Sequence, residues 1–320
     1  MTFAQSVNAG LREEMRRDAG VVVMGEDVGH YGGVFGVTRG LQDEFGAERV
    51  RDAPLCEAAI VGFCVGLAVA GKPAVAELEF MDFVTFAMDP IVNQAAKLRY
   101  FWGGQVSVPL VVRAPVAANL GFGSQHSQSL EAWFMHVPGL RIAMPSNGYD
   151  AKGLIKTAVR DPNPVLFLEN ISLYPSRVEV PEEEYLIPFG EAHVVRTGSD
   201  VTVVALASMV PRALEAADAL AAEGISVEII DPRTLAPLDI DTIVESVRKT
   251  GRVVIAHVAH KTAGVGAEIA QQITELAFDH LEAPVRRVAA LDNPIPASQP
   301  LEAQVFPGTD EIVEACRALG

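Results

Sequence analysis

Few charged groups in this chain stand as isolated as Glu57. In PLCEAAIVGFCVGLAVAG it is the one residue between Leu55 and Ala70 that is neither small nor apolar. Two chemistries suit an acid so placed. At a helix start it complements the positive end of the dipole. Flanked by apolar residues, it is also partly desolvated and needs a specific partner, such as a ligand nitrogen. His126 lies in GSQHSQS, among hydroxyl and amide neighbours that suit a proton donor or acceptor, although a lone histidine can equally be structural. Phe83, in EFMDFVTF, is either a core ring or one that stacks on a planar ligand. His257 and His260 in AHVAHK are spaced as metal ligands can be, but no cysteine or carboxylate cluster accompanies them. GVGAEIA (264–270) has part of a dinucleotide fingerprint and lacks its third glycine, so a close-packed helix start is the expected role.

These residues need a frame, and the chain supplies one by alternation. Short β-branched runs, VVVMG (21–25), KPAVAEL (72–78), VPLVVRAP (108–115) and PVLFLEN (164–170), alternate with helical patterns over 55–70, 84–100 and 149–159. Such alternation predicts a mostly parallel sheet covered by helices. Prolines and clustered charges in YPSRVEVPEEEYLIPFG (174–190) break both periodicities and mark a linker. A second alternation follows: DVTVVAL, ISVEIID, RVVIAHV and VRRVAA, with helices over 210–223, 238–249 and 264–279. The expected fold class is therefore α/β with two domains, 1–180 and 191–320, with 181–190 ending the linker. Ligands of parallel sheets gather at the carboxyl ends of the strands. The polar loops GEDVGHYGGVFG (25–36) and NLGFGSQHSQS (119–129) follow strands and should therefore face one crevice.

A net charge of −16 argues against a nucleic-acid or anionic-membrane partner, since both demand a basic footprint. No apolar run reaches the ~18 residues of a membrane span, and the N-terminus reads as an amphipathic helix rather than a signal peptide. The three cysteines (Cys56, Cys64, Cys316) show no CxxC pairing, so buried free thiols in a cytoplasmic protein are expected.

Taken together, GEDVGHYGGVFGVTRGL, PLCEAAIVGF, AELEFMDF, VNQAAKLRY, QHSQSLEAWFMHVPGL, YDAKGLIKTAVRDPNP and DPRTLAPLD resemble a known family over nearly the whole chain. It is the β subunit of the thiamine-diphosphate-dependent E1 component of 2-oxo acid dehydrogenase complexes, shared by pyruvate, branched-chain 2-oxo acid and acetoin dehydrogenases. The resemblance implies a transketolase-like pyrimidine-binding domain followed by a transketolase C-terminal domain. It implies that Glu57 hydrogen-bonds the cofactor's pyrimidine nitrogen, that Phe83 packs on that ring with Leu55 and Met81 as neighbours, and that His126 transfers a proton during reductive acylation of lipoyl-E2. It further implies a monovalent cation, usually K⁺, near Leu110, Ala158, Val159, Asp161 and Asn163. Such enzymes hold the diphosphate through Mg²⁺ with a GDG motif, and no GDG occurs in the 320 residues. The resemblance thus implies half an active site, completed by an α subunit in an α2β2 heterotetramer. Two departures stand out. Phe83 stands where relatives often have tyrosine, and HVAHK where many have an acidic residue. Acetoin cleavage, a non-catalytic scaffold subunit and a nicotinamide-dependent oxidoreductase built on GVGAEIA are the alternatives. Retention of Glu57 and His126 argues against the scaffold, and the missing glycine against the oxidoreductase.

Overall fold

The computed structural model describes residues 1–319. Among the described residues twelve strands form two sheets: β1 (Val22–Gly25), β2 (Val50–Asp52), β3 (Ala74–Glu77), β4 (Leu110–Val116), β5 (Arg141–Ala143), β6 (Val165–Asn170), β7 (His193–Arg196), β8 (Val201–Ala205), β9 (Val227–Asp231), β10 (Thr234–Ala236), β11 (Val253–His260) and β12 (Arg286–Ala290). The first sheet has the order β10-β5-β6-β4-β3-β1-β2 and the second β12-β11-β8-β9-β7. All pairings are parallel except β10 on β5 and β7 on β9. This is the α/β architecture expected of the alternating pattern.

Period-two side-chain alternation decides how the first sheet is covered. Leu110, Val112, Ala114 and Val116 of β4 face one core, and Val111 faces the other. The Val111 side is covered by two helices. In Phe3–Arg17 the four-residue spacing of Phe3, Val7, Leu11 and Met15 makes one buried stripe, and a capping box from Thr2 and Gln5 starts the helix. It lies against Gly148–Arg160 so closely that a Cβ on Gly10 would stand 2.4 Å from Ile155. The opposite core runs without a break from helix Glu57–Val69 into the second sheet.

Several segments differ from the sequence expectation. The helix expected over 84–100 is divided into a 3-10 segment (Met81–Ala87), a π segment (Asp89–Ala95) and one α segment (Ala96–Phe101). Pro90, which lacks an N–H, sits at the head of the π segment. Helix Glu57–Val69 forms within the expected span and is covered on one side only. Ile60, Val61, Cys64, Val65 and Ala68 are buried, whereas Ala58, Ala59, Gly62, Phe63, Gly66 and Val69 form an open apolar face. Cys56 is exposed, against the expectation of three buried thiols, while Cys64 and Cys316 are buried and burial pushes both thiols up to about 12. The segment 177–190 is strapped to helix Gly148–Arg160: Lys152 Nζ donates to the Pro181 carbonyl at 2.9 Å and Thr157 Oγ1 to that of Ile187 at 2.7 Å. No helix among the described residues is long and apolar enough to cross a membrane.

Candidate active site

Because β1 to β6 run parallel, the segments that follow them emerge on one edge of the sheet. Glu57 reaches that edge as the first residue of the helix after β2, behind an N-cap, Cys56, that makes no side-chain cap. It is half-buried, and among the described residues it has no side-chain hydrogen-bond or ion-pair partner. Carboxylates surround it. Glu26 follows β1 and is pushed up to about 7, first by burial and then by Glu79, Asp27 and Glu57. Glu79, just after β3, is raised by burial and by Asp27, Glu57 and Glu77. A proton is thus readily held at this edge near neutral pH.

His126 occupies the same edge, on the loop after β4. Its ring meets Phe80 edge-on at 5.0 Å and Phe83 at 5.3 Å between centroids. Phe83 is half-buried, and Met81 beside it is fully buried. Leu55, two residues before Glu57, is 72% exposed. Asp82 accepts from the Gln128 backbone (3.3 Å) and side-chain amide (2.8 Å). Burial raises its carboxyl, while the Gln128 bonds and His126 oppose the rise.

Beneath this edge of the sheet lies a buried ionic network. Arg113 of β4 is fully buried and clasps Glu169 of β6 with two bonds, Nε to Oε1 at 2.6 Å and Nη2 to Oε2 at 2.9 Å. Its third bond goes to Glu77 of β3. Tyr174 donates to Glu169 at 3.1 Å and packs its ring against Phe35 at 5.9 Å. Phe35 in turn meets Phe80 edge-on at 5.6 Å. Gly33 has φ of 79°, and a Cβ there would lie 2.7 Å from a Glu77 oxygen, so the loop after β1 rests directly on the network. Burial raises the Glu77 carboxyl against the pull of Arg113, and it lifts the Tyr174 hydroxyl well above its usual range.

The expected cation residues lie at the other end of the sheet. Leu110 opens β4, Ala158 and Val159 lie in the last turn of helix Gly148–Arg160, and Asp161 and Asn163 form the turn into β6. Their side chains are engaged: Asp161 pairs with Arg141 at 2.7 Å, and Asn163 accepts from Arg99 at 2.6 Å. In the second sheet His257 is buried and lowered to about 4, chiefly by desolvation. It lies under the glycines of GVGAEIA: a Cβ on Gly266 would stand 2.7 Å from its Nε2, and Gly264 is the N-cap of helix Val265–Ala277. That is the close-packed helix start expected of the motif.

Comparison with known proteins agrees with this fold. Residues 1–177 match the family described as "Transketolase, pyrimidine binding domain", and residues 190–312 match "Transketolase, C-terminal domain". The pyruvate dehydrogenase E1 component subunit beta of Bacillus subtilis is 45% identical over 318 residues, covering 99% of this chain and 98% of that one. The chain belongs to this transketolase-like β-subunit family. Other members include the mitochondrial pyruvate dehydrogenase E1 subunit beta-2 of Oryza sativa subsp. japonica, 45% identical over 99% of this chain and 85% of that one. The acetoin:2,6-dichlorophenolindophenol oxidoreductase subunit beta of Cupriavidus necator is 44% identical over 99% of this chain and 96% of that one. Among solved structures, a split-gene transketolase in an inactive β4 tetramer shares the fold with a TM-score of 0.83 at 24% identity, covering 100% of this chain and 98% of that one.

Sequence reasoning missed Glu26, Glu79 and Asp82 as members of the site. The signal available was positional, since Glu26 and Glu79 each stand just beyond a strand that ends on the crevice. For Asp82 no local signal exists, because its partner Gln128 is 46 residues away.

Proposed function

We propose that this chain is the β subunit of a 2-oxo acid dehydrogenase E1, with pyruvate the first candidate substrate and a branched-chain 2-oxo acid the next. In this reading it works with an α subunit in an α2β2 heterotetramer and acylates lipoyl-E2. The observation that carries the reading is Glu57: an unpaired carboxylate at the sheet's carboxyl edge, heading a helix whose outer face is apolar and open. An acid so exposed to an absent neighbour fits a ring nitrogen presented at a subunit boundary.

The residues fit the pyrimidine half of thiamine diphosphate. When bound, the cofactor supplies the nucleophilic carbon that attacks the 2-oxo group. Glu57 offers its carboxylate to the pyrimidine nitrogen and shares a proton there. Phe83, with Met81 behind it, gives the ring an apolar wall, and Leu55 closes over it once the partner covers that side. Half-buried between Phe80 and Phe83, the imidazole of His126 moves a proton at the lipoyl sulfur. The diphosphate and Mg²⁺ need hard oxygen ligands; lacking GDG, this chain leaves them to the α subunit. The open face of Glu57–Val69 and the exposed Tyr100, Phe101 and Trp102 offer apolar area for such contacts. We take residues 1–180 as the pyrimidine-binding domain, 181–190 as the end of the linker and 191–320 as the C-terminal domain. Carbonyl oxygens around Leu110, Ala158, Val159, Asp161 and Asn163 suit a structural K⁺, and an acidic chain with buried free thiols suits the cytoplasm. Acetoin cleavage is the second reading, favoured by the Cupriavidus necator relative.

The test is reconstitution. The purified chain alone should bind thiamine diphosphate weakly and turn over nothing, and a partner carrying GDG should restore decarboxylation. Full activity without a partner would overturn the proposal.

A further inference from the structure

The His126 loop has little to hold it. It leaves β4 through three left-handed residues, Asn119 (φ 64°), Gly121 (φ 76°) and Gly123 (φ 79°), which preclude a regular ladder. Within it the His126 N–H reaches the Gly123 carbonyl at 3.2 Å. Its C-terminal end is tied to Asp82 through Gln128. Its N-terminal end is tied to a residue 181 positions away: the Gly121 N–H donates to Oε2 of Glu302 at 2.6 Å. Glu302 is 1% exposed, and its Oε1 has no hydrogen-bond partner. A carboxylate carried into the interior for one backbone amide is costly unless that bond matters. The packing agrees. A Cβ on Gly123 would meet Ala297 at 3.3 Å, and one on Gly121 would meet Gln299 at 3.2 Å, so segment 297–302 is the floor on which the loop lies.

We infer that Glu302 is a positioning residue that fixes the His126 loop from the C-terminal part of the chain. The consequence for acyl transfer rests on the role proposed above for His126; the anchoring itself does not. With the Glu302 bond in place, the two glycines are pinned and the turn from Gly123 presents His126 to Phe80 and Phe83. Without it, the loop keeps its attachment at Asp82 and the packing of Phe122 and His126 on Phe80 and Phe83. Its backbone, however, is no longer fixed, and the imidazole samples further orientations.

The experiment uses the complex reconstituted with its α partner. It measures hydrogen exchange of peptides covering 119–127, together with the ratio of lipoyl acylation to decarboxylation read with an artificial electron acceptor. Glu302→Ala removes the acceptor. Glu302→Asp keeps the charge but falls one methylene short, and guards against a misfolded alanine variant. Both should speed exchange of 119–127 about tenfold or more, the effect of losing a charge-assisted hydrogen bond, with peptides from helix Ile240–Thr250 unchanged. Both should lower acylation more than decarboxylation. Glu302→Gln, whose amide oxygen still accepts but without the charge, should fall between wild type and the alanine variant in both readouts. Unchanged exchange in the aspartate and alanine variants, or equally fast exchange in the glutamine variant, would overturn the inference. So would faster exchange with an unaltered acylation ratio, provided His126→Ala does alter it. If His126→Ala depresses both reactions equally, the role of His126 falls while the exchange result still decides the anchor.

Discussion

Replacing Arg113 by methionine should destabilise the protein strongly and in a pH-dependent way. The guanidinium is fully buried and is the cation that meets both Glu77 and Glu169. Methionine fills much of the space but leaves two carboxyls facing each other in the interior. Removing one member of a buried ionic set costs roughly 3–5 kcal/mol, because the desolvation of the remaining charges is no longer offset. For a chain of this size that corresponds to a fall in Tm of roughly 4–7 °C. The penalty depends on charge, so a proton taken up by the stranded pair relieves it by about 1.4 kcal/mol per pH unit. The fall should therefore be smaller at pH 6 than at pH 8. A triple variant with Glu77→Gln and Glu169→Gln added should recover most of the loss, since burying no charge can be as good as burying a paired set. Thermal unfolding of the three proteins at the two pH values is the assay. A fall in Tm below about 2 °C, or one indifferent to pH, would refute the view that the Arg113 charge offsets the two carboxyls buried beside it.

Two further outcomes follow from burial. Cys56 alone should be alkylated in the folded isolated chain, because it is exposed while Cys64 and Cys316 are buried with thiols raised to about 12; assembly with an α partner should protect it, and mass spectrometry of the labelled protein reads both. His257 is held neutral in the fold at about 4 and returns to ~6.5 when unfolded. Stability should therefore be present above pH 6.5 and drain away as pH falls toward 4, with a loss of up to about 2 kcal/mol between pH 6.5 and 5. His257→Gln should flatten that part of the stability curve, and an unchanged slope would count against the desolvated neutral imidazole.

How much of this was legible beforehand depended on whether the deciding contact was local. Eight of the strands announce themselves as apolar, mostly β-branched runs, and parallel order alone places Glu57 and His126 on one edge. Strands VRD (50–52), RIA (141–143), HVVR (193–196) and TLA (234–236) are three or four residues long and carry no readable alternation. They exist because a neighbouring edge was available, as when β10 leaves the second unit to pair with β5. Helix Glu57–Val69 was legible as a helix but not in its burial. Its apolar composition is the same whether a face is buried within the chain or left open for another subunit, so only coordinates separate the two. Glu302 was invisible because nothing near LEAQVF refers to a loop 181 residues earlier.

The central claim is that Glu57 is the carboxylate at which the cofactor's pyrimidine is bound and a proton is shared. Its direct test is Glu57→Gln in the complex reconstituted with the α partner, with 2-oxo acid decarboxylation followed by an artificial electron acceptor and folding checked by circular dichroism. The expected result is a folded, assembled complex whose rate has fallen by about 10²–10⁴-fold, the usual contribution of a positioned proton-transfer group. A glutamine variant that assembles and turns over within about threefold of wild type, well short of that contribution, would contradict it.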